Sequence, residues 1–100
     1  MADTPEGKVK RQVKTFLKTI KAYYFMPMQN GFGVVGVPDL ICCVKGKFLG
    51  IETKAPGKRY TLTANQKAQI DAIHEVGGYA VVVENVEQLI EYMKMNELLG

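Results

Sequence analysis

One stretch constrains this chain more than any other: residues 36–55, GVPDLICCVKGKFLGIETKA, hold two apolar runs separated by a short glycine-centred turn. Leu40 to Val44 and Phe48 to Lys54 carry the side chains that favour a pleated surface, and Lys45-Gly46-Lys47 is short enough to fold one run back on the other as a hairpin. Pro38 has no N–H to give a sheet ladder, so it delivers the chain to the first strand from outside. Asp39 then sits at the mouth of the hairpin, where pairing across Gly46 brings it near Glu52 with no long-range contact. Side chains alternate along a strand, so Glu52 and Lys54 share one face while Thr53 points to the other and its side chain need take no part. Two clustered carboxylates beside a lysine suit a hard divalent cation and a phosphate. In an arbitrary protein the same Glu-x-Lys pair would be a salt-bridged strand face.

The order Pro38-Asp39, a spacer, then Glu52-Thr53-Lys54 resembles the PD-(D/E)xK nuclease superfamily. With Gly36-Val37 ahead of it and Leu62-Thr63-Ala64-Asn65-Gln66 after it, the pattern is more specifically similar to the virus-type replication-repair nuclease (VRR-NUC) domain, over Glu6 to about Val83. The resemblance implies a restriction-endonuclease-like α/β core and a metal-dependent phosphodiesterase acting on DNA.

The chain of 100 residues, 47% of them hydrophobic, suits one domain spanning 1–100 with one core. No apolar run approaches the roughly 20 residues of a membrane helix, and the opening residues lack a signal peptide's apolar stretch, so a cytoplasmic location without membrane contact is expected. Cys42 and Cys43 are adjacent in a strand and face opposite sides, which is no zinc or redox spacing and reads as reduced, core or half-buried thiols. The net charge of +3 hides an asymmetry: residues 1–25 carry six Lys or Arg against two acids, 45–67 six against one, and 69–100 one against six. The first two thirds favour a polyanion, through phosphate contacts, although a solvated lysine-rich surface has the same composition.

Thr4 as cap, Pro5 at the first position and Glu6 in the first turn start a helix. Its apolar face is Val9, Val13, Phe16, Leu17, Ile20 and Tyr24, with Lys8, Lys10, Arg11, Lys14, Lys18 and Lys21 elsewhere. Residues 22–26 read as a short strand ended by Pro27. From Gln29 to Val37 glycines alternate with Phe32, Val34, Val35 and Val37, either packing under the sheet or serving a dimer or substrate contact. Residues 55–62 form a basic loop in which Lys58, Arg59 and Tyr60 are the candidates for DNA contact, joined by Lys8 and Arg11 of the first helix. Thr63 and Gln66 form a capping box opening a second helix that ends at Gly77-Gly78. Gln66 heads a stripe with Ile70 and Ile73, and lone His74 reads as structural. Tyr79 to Val83 is a strand joined in parallel through that helix, and Asn85 with Gln88 caps a last helix packed through Val86, Leu89, Ile90 and Met93. The expected order is αβββαβα, a mixed four-stranded sheet flanked by helices.

The resemblance implies roles. Asp39 and Glu52 would be the cation's ligands, with the Thr53 backbone carbonyl as a third. Mg2+ is the expected cofactor, Mn2+ substituting. Lys54 suits stabilising charge on the phosphoryl group or orienting the attacking water, and whether it acts as a base stays open. Glu6 matches a helix-borne acid that holds a cation's water or a second ion, or is an acid at a helix start; Gln66 either completes its cap or supports the cation's water or the lysine. The stand-alone proteins of this type imply a homodimer cutting branched DNA such as four-way junctions, with a possible interface at Phe32 to Val37. A non-catalytic nucleic-acid-binding module of the same fold and a restriction-type nuclease are the alternatives.

Overall fold

The computed structural model describes residues 4–28 and 33–100. Helix α1 spans Pro5–Thr19, strand β1 Tyr23–Phe25, β2 Leu40–Val44, β3 Lys47–Thr53, helix α2 Ala64–Glu75, β4 Tyr79–Val83 and α3 Val86–Met95. This is the expected order αβββαβα. The four strands form one mixed sheet in the order β1-β2-β3-β4, with the β1–β2 and β2–β3 pairs antiparallel and β3–β4 parallel.

The α1 start is as expected: Thr4 Oγ1 accepts from the Gly7 N–H. Its end is earlier than the apolar spacing suggests. Lys21 adopts φ 58°, and the Ala22 and Lys21 N–H groups return to the Leu17 and Lys18 carbonyls, closing the helix. Tyr24 therefore lies in β1, half-buried against the core, and not on the helical face. The hairpin turn is two residues long, with Lys45 and Gly46 both at positive φ, as the twist of a tight hairpin demands. β3 ends at Thr53, one residue before Lys54.

The two sheet faces are covered unequally. Leu40, Cys42, Val44, Leu49, Ile51, Val81 and Val83 point into the main core with Val9, Val13 and Leu17 of α1, Leu89 and Met93 of α3, and Leu98. On the opposite face α2 packs through Ile73 over Gly50 and Gly78, close enough that a Cβ on Gly50 would lie 2.9 Å from Pro38 Cγ and 3.3 Å from Ile73 Cδ1. That helix leaves the β1–β2 half of its face open, where Tyr23, Phe25, Cys43 and Phe48 are exposed. Cys43 is thus exposed, whereas burial pushes the Cys42 thiol up to about 12 and keeps it protonated. His74 Nε2 donates to the Ala80 carbonyl oxygen at 3.1 Å, tying α2 to β4. Val34 and Val35 are exposed and do not pack under the sheet; Gln29 to Phe32 lie outside the described residues.

Candidate active site

The open end of the β2–β3 hairpin carries the charged cluster. Register pairs Leu40 with Ile51, so Asp39 stands beside Glu52 and Thr53 as the hairpin geometry requires. Asp39 Oδ2 accepts from the Thr53 backbone N–H at 2.9 Å and from the Thr53 hydroxyl at 2.7 Å. The Thr53 side chain therefore does take part, by fixing Asp39. Strand alternation missed this because Asp39 precedes the strand and is not bound to its period of two. The N–H and C=O of a strand residue leave on the same flank, so the Thr53 carbonyl faces the Asp39 side, while the Lys54 N–H turns the other way to the Val83 carbonyl.

Glu52, Lys54 and Gln66 form one connected unit. Gln66 Oε1 accepts from Lys54 Nζ and from the Thr63 N–H, both at 3.0 Å, and Gln66 Nε2 donates to Glu52 Oε2 at 3.0 Å. The two donors meeting Oε1 set the amide's orientation, since the opposite one would put an NH2 group against an ammonium. Lys54 Nζ is 3.9 Å from Glu52 Oε2, confirming that Glu52 and Lys54 share a face. The two readings of Gln66 coexist: it completes the capping box of α2 and holds both strand groups.

Burial is the main reason that Glu52 has its carboxyl pushed up to about 7; the Asp39 carboxylate adds to the rise, Lys54 opposes it, and Glu6 raises it further. Glu6 is thus within electrostatic range of Glu52. It does not complete a tight cluster: among the described residues no three His, Cys, Asp or Glu side chains converge as a ready-made cation site.

Lys10 was missed from sequence, and Gly36 was read as part of the motif order without its structural role. Lys10 Nζ lies 3.8 Å from Asp39 Oδ1, and its only sequence signal is a position one helical turn after Glu6. Gly36 has φ +85°, and a Cβ there would sit 2.5 Å from the Asn65 carbonyl carbon and 2.7 Å from the Gln66 nitrogen. The segment leading to Asp39 thus lies backbone to backbone on the first turn of α2, locking Asp39 and Gln66 together. Only glycine permits that approach.

The proposed DNA contacts are spread out. Lys58 and Tyr60 are exposed on the 55–62 loop, and Lys8 and Arg11 are exposed on α1. Arg59 is half-buried: its Nε donates to the Val82 carbonyl at 2.8 Å and its guanidinium lies 5.7 Å from the Tyr60 ring centre. The loop is anchored again where the Gly57 N–H donates to Glu84 Oε2 at 2.8 Å.

No family model and no curated protein matches this sequence. Solved structures do. One described as a VRR_NUC domain protein aligns with a TM-score of 0.74 at 25% identity, covering 93% of this chain and 88% of that one. Another, described as a VRR_NUC domain, aligns with a TM-score of 0.71 at 20% identity, covering 91% of this chain and 96% of that one. The motif order that runs from Gly36 to Gln66 is therefore carried on the matching architecture, and the chain has the VRR_NUC fold.

Proposed function

We propose that this chain is a divalent-cation-dependent DNA nuclease that hydrolyses phosphodiester bonds as a two-fold homodimer on branched substrates such as four-way junctions. The observation that carries the reading is the connected unit of Asp39, Thr53, Glu52, Gln66 and Lys54 at one end of the sheet. The VRR_NUC neighbours support a nuclease domain.

The donor set suits Mg2+ or Mn2+. Asp39 and Glu52 offer hard oxygens, the Thr53 carbonyl lies on the same flank, and a buried carboxyl raised to about 7 is one that a nearby cation would return to its charged form. Glu6, within electrostatic range of Glu52, would help hold the cation's water. Bound there, the cation would supply positive charge at the phosphoryl oxygens and make a water more acidic. The chain's own residues do the positioning. Thr53 holds Asp39 through two hydrogen bonds, Gln66 orients Glu52, and the same amide oxygen restrains the Lys54 ammonium so that its charge can meet the phosphoryl group in the transition state. Lys58, Tyr60, Lys8 and Arg11 are exposed to take flanking phosphates and bases.

Dimerisation draws on the uncovered half-sheet. Tyr23, Phe25 and Phe48, with Val34 and Val35 on the neighbouring segment, expose more apolar surface than an edge strand and loop need. A two-fold pair supplies one site to each of two symmetry-related strands of a junction.

The test is a cleavage assay on four-way-junction and linear duplex DNA with Mg2+, Mn2+ or EDTA, alongside light scattering over a range of protein concentrations. Expected are metal-dependent cutting, preference for the junction and a dimeric mass. No cutting with either metal would leave a binding module of this fold; a monomer cutting both substrates equally would remove the junction and dimer parts alone.

A further inference from the structure

Asp39 uses its two oxygens differently. Oδ2 is committed to the Thr53 N–H and hydroxyl, whereas Oδ1 faces only the Lys10 ammonium at 3.8 Å among the contacts described. Oδ1 is therefore the oxygen a cation would need, and a positive group already stands over it. The Lys10 side chain is 27% exposed and the Asp39 side chain 15%, so the pair is partly shielded from water. Lys10 and Glu6 lie one helical turn apart, on the flank of α1 that borders the buried Val9–Val13–Leu17 face.

We infer that Lys10 is a tethered counter-ion for Asp39, which a divalent cation must displace and which then turns to the substrate's phosphate. The inference rests on the nuclease reading of the same site. Two positive groups cannot share Oδ1 without strong repulsion in so shielded a place. A lysine is a compact, hydrated charge on a flexible four-carbon stem, so it can leave Asp39 without disturbing the helix that bears it. Its next anions are then Glu6, one helical turn away, and the phosphodiester, of which only the phosphodiester arrives with DNA. Cation and DNA binding are then coupled: without DNA, Lys10 weakens cation binding; with DNA, the displaced ammonium gains a partner, and each ligand tightens the other.

Calorimetric titration of the whole chain with Mn2+, without DNA, reads this directly. Lys10→Ala and Lys10→Met should bind Mn2+ about tenfold more tightly than the wild type, because both the competitor and its repulsion are gone. Lys10→Arg should stay near the wild type, and Lys18→Ala, the same charge change at an exposed position of α1, should alter affinity less than twofold. Adding a short DNA duplex should then tighten Mn2+ binding to the wild type by a larger factor than to Lys10→Ala. Equal affinities for Lys10→Ala, Lys18→Ala and the wild type would make Lys10 an ordinary surface ion pair and leave the nuclease reading intact. Absence of Mn2+ binding by the wild type and every variant would overturn this inference and the cation site together, and metal-independent cleavage in EDTA would then show whether any nuclease remains.

Discussion

The two ends of the β2–β3 hairpin are built from the same strands and differ in nearly every other respect. The turn end, Lys45-Gly46, is shaped by its own backbone: two residues at positive φ reverse the chain, a Cβ on Gly46 would meet no atom within 4 Å, and the long-range contact there is an exposed Lys45 Nζ donating to the Leu99 carbonyl at 3.4 Å. The open end is assembled by bonds that span 12 to 14 residues, with Thr53 holding Asp39 and Gln66 holding Glu52 and Lys54. Glu52 is buried there with a carboxyl that resists ionisation. One end solves chain reversal with backbone conformation alone, constrained by its positive φ angles and not by crowding at Gly46. At the other, polar groups are held together against their desolvation cost, which the fold offsets with a connected hydrogen-bond network.

The largest way to break this contrast is to remove the acid at the open end. Asp39→Ala should abolish cleavage and leave the Thr53 N–H and hydroxyl without their acceptor, at a cost of about 1–3 kcal/mol. Asp39→Asn keeps one acceptor oxygen, so denaturant midpoints should stay closer to the wild type while cleavage is still lost. An active Asp39→Asn protein would sink the proposed site. Next, Gly36→Ala forces a side chain into the first turn of α2 at φ +85°. It should lower stability by about 2 to 4 kcal/mol, from the left-handed conformation and the overpacking combined. Cleavage should fall too, since Gln66 is displaced; urea denaturation and a single-turnover assay measure the two effects.

Glu52 gives a pH test. Its folded carboxyl holds a proton up to about pH 7, whereas an ordinary glutamate releases it near 4.5. Between those values the folded state binds more protons than the unfolded one, so this group's contribution is complete below 4.5, declines as pH rises and is gone above 7. In EDTA, Glu52→Gln should therefore be more stable than the wild type at pH 8, by up to about 3 kcal/mol, with the gap closing toward pH 4.5. Chemical denaturation across that pH range checks it, and a constant gap would show that Glu52 is not desolvated as described. The smallest effect belongs to the turn: Lys45→Asn should change stability by no more than about 0.5 kcal/mol, because asparagine accepts positive φ more readily while the exposed bond to the Leu99 carbonyl is lost, with cleavage unchanged. A loss of cleavage there would mean that the two ends are not independent.

What the sequence determined by itself was the local half of this protein. Thr4-Pro5, the Thr63–Gln66 capping box, Asn85 with Gln88 and the tight turn at Gly46 each place a donor, an acceptor or a permissive backbone within four residues of its partner, so the element order and the strand alternation that joins Glu52 to Lys54 were legible. The end of α1 was less so, because Lys21 takes a conformation for which glycine is the usual signal. Tertiary structure decided the rest. That Val34 and Val35 face solvent and do not pack is one such outcome. That Gln66 bonds Lys54 and Glu52 beyond its own cap, that Thr53 fixes Asp39, that Lys10 stands over Asp39, and that Gly36 presses on Asn65 all depend on the distance between α1, the hairpin and α2 once they pack. Periodicity assigns a side chain to a face, but only packing sets which face of another element it meets, and hydrogen bonds and ion pairs are made or lost over about an ångström.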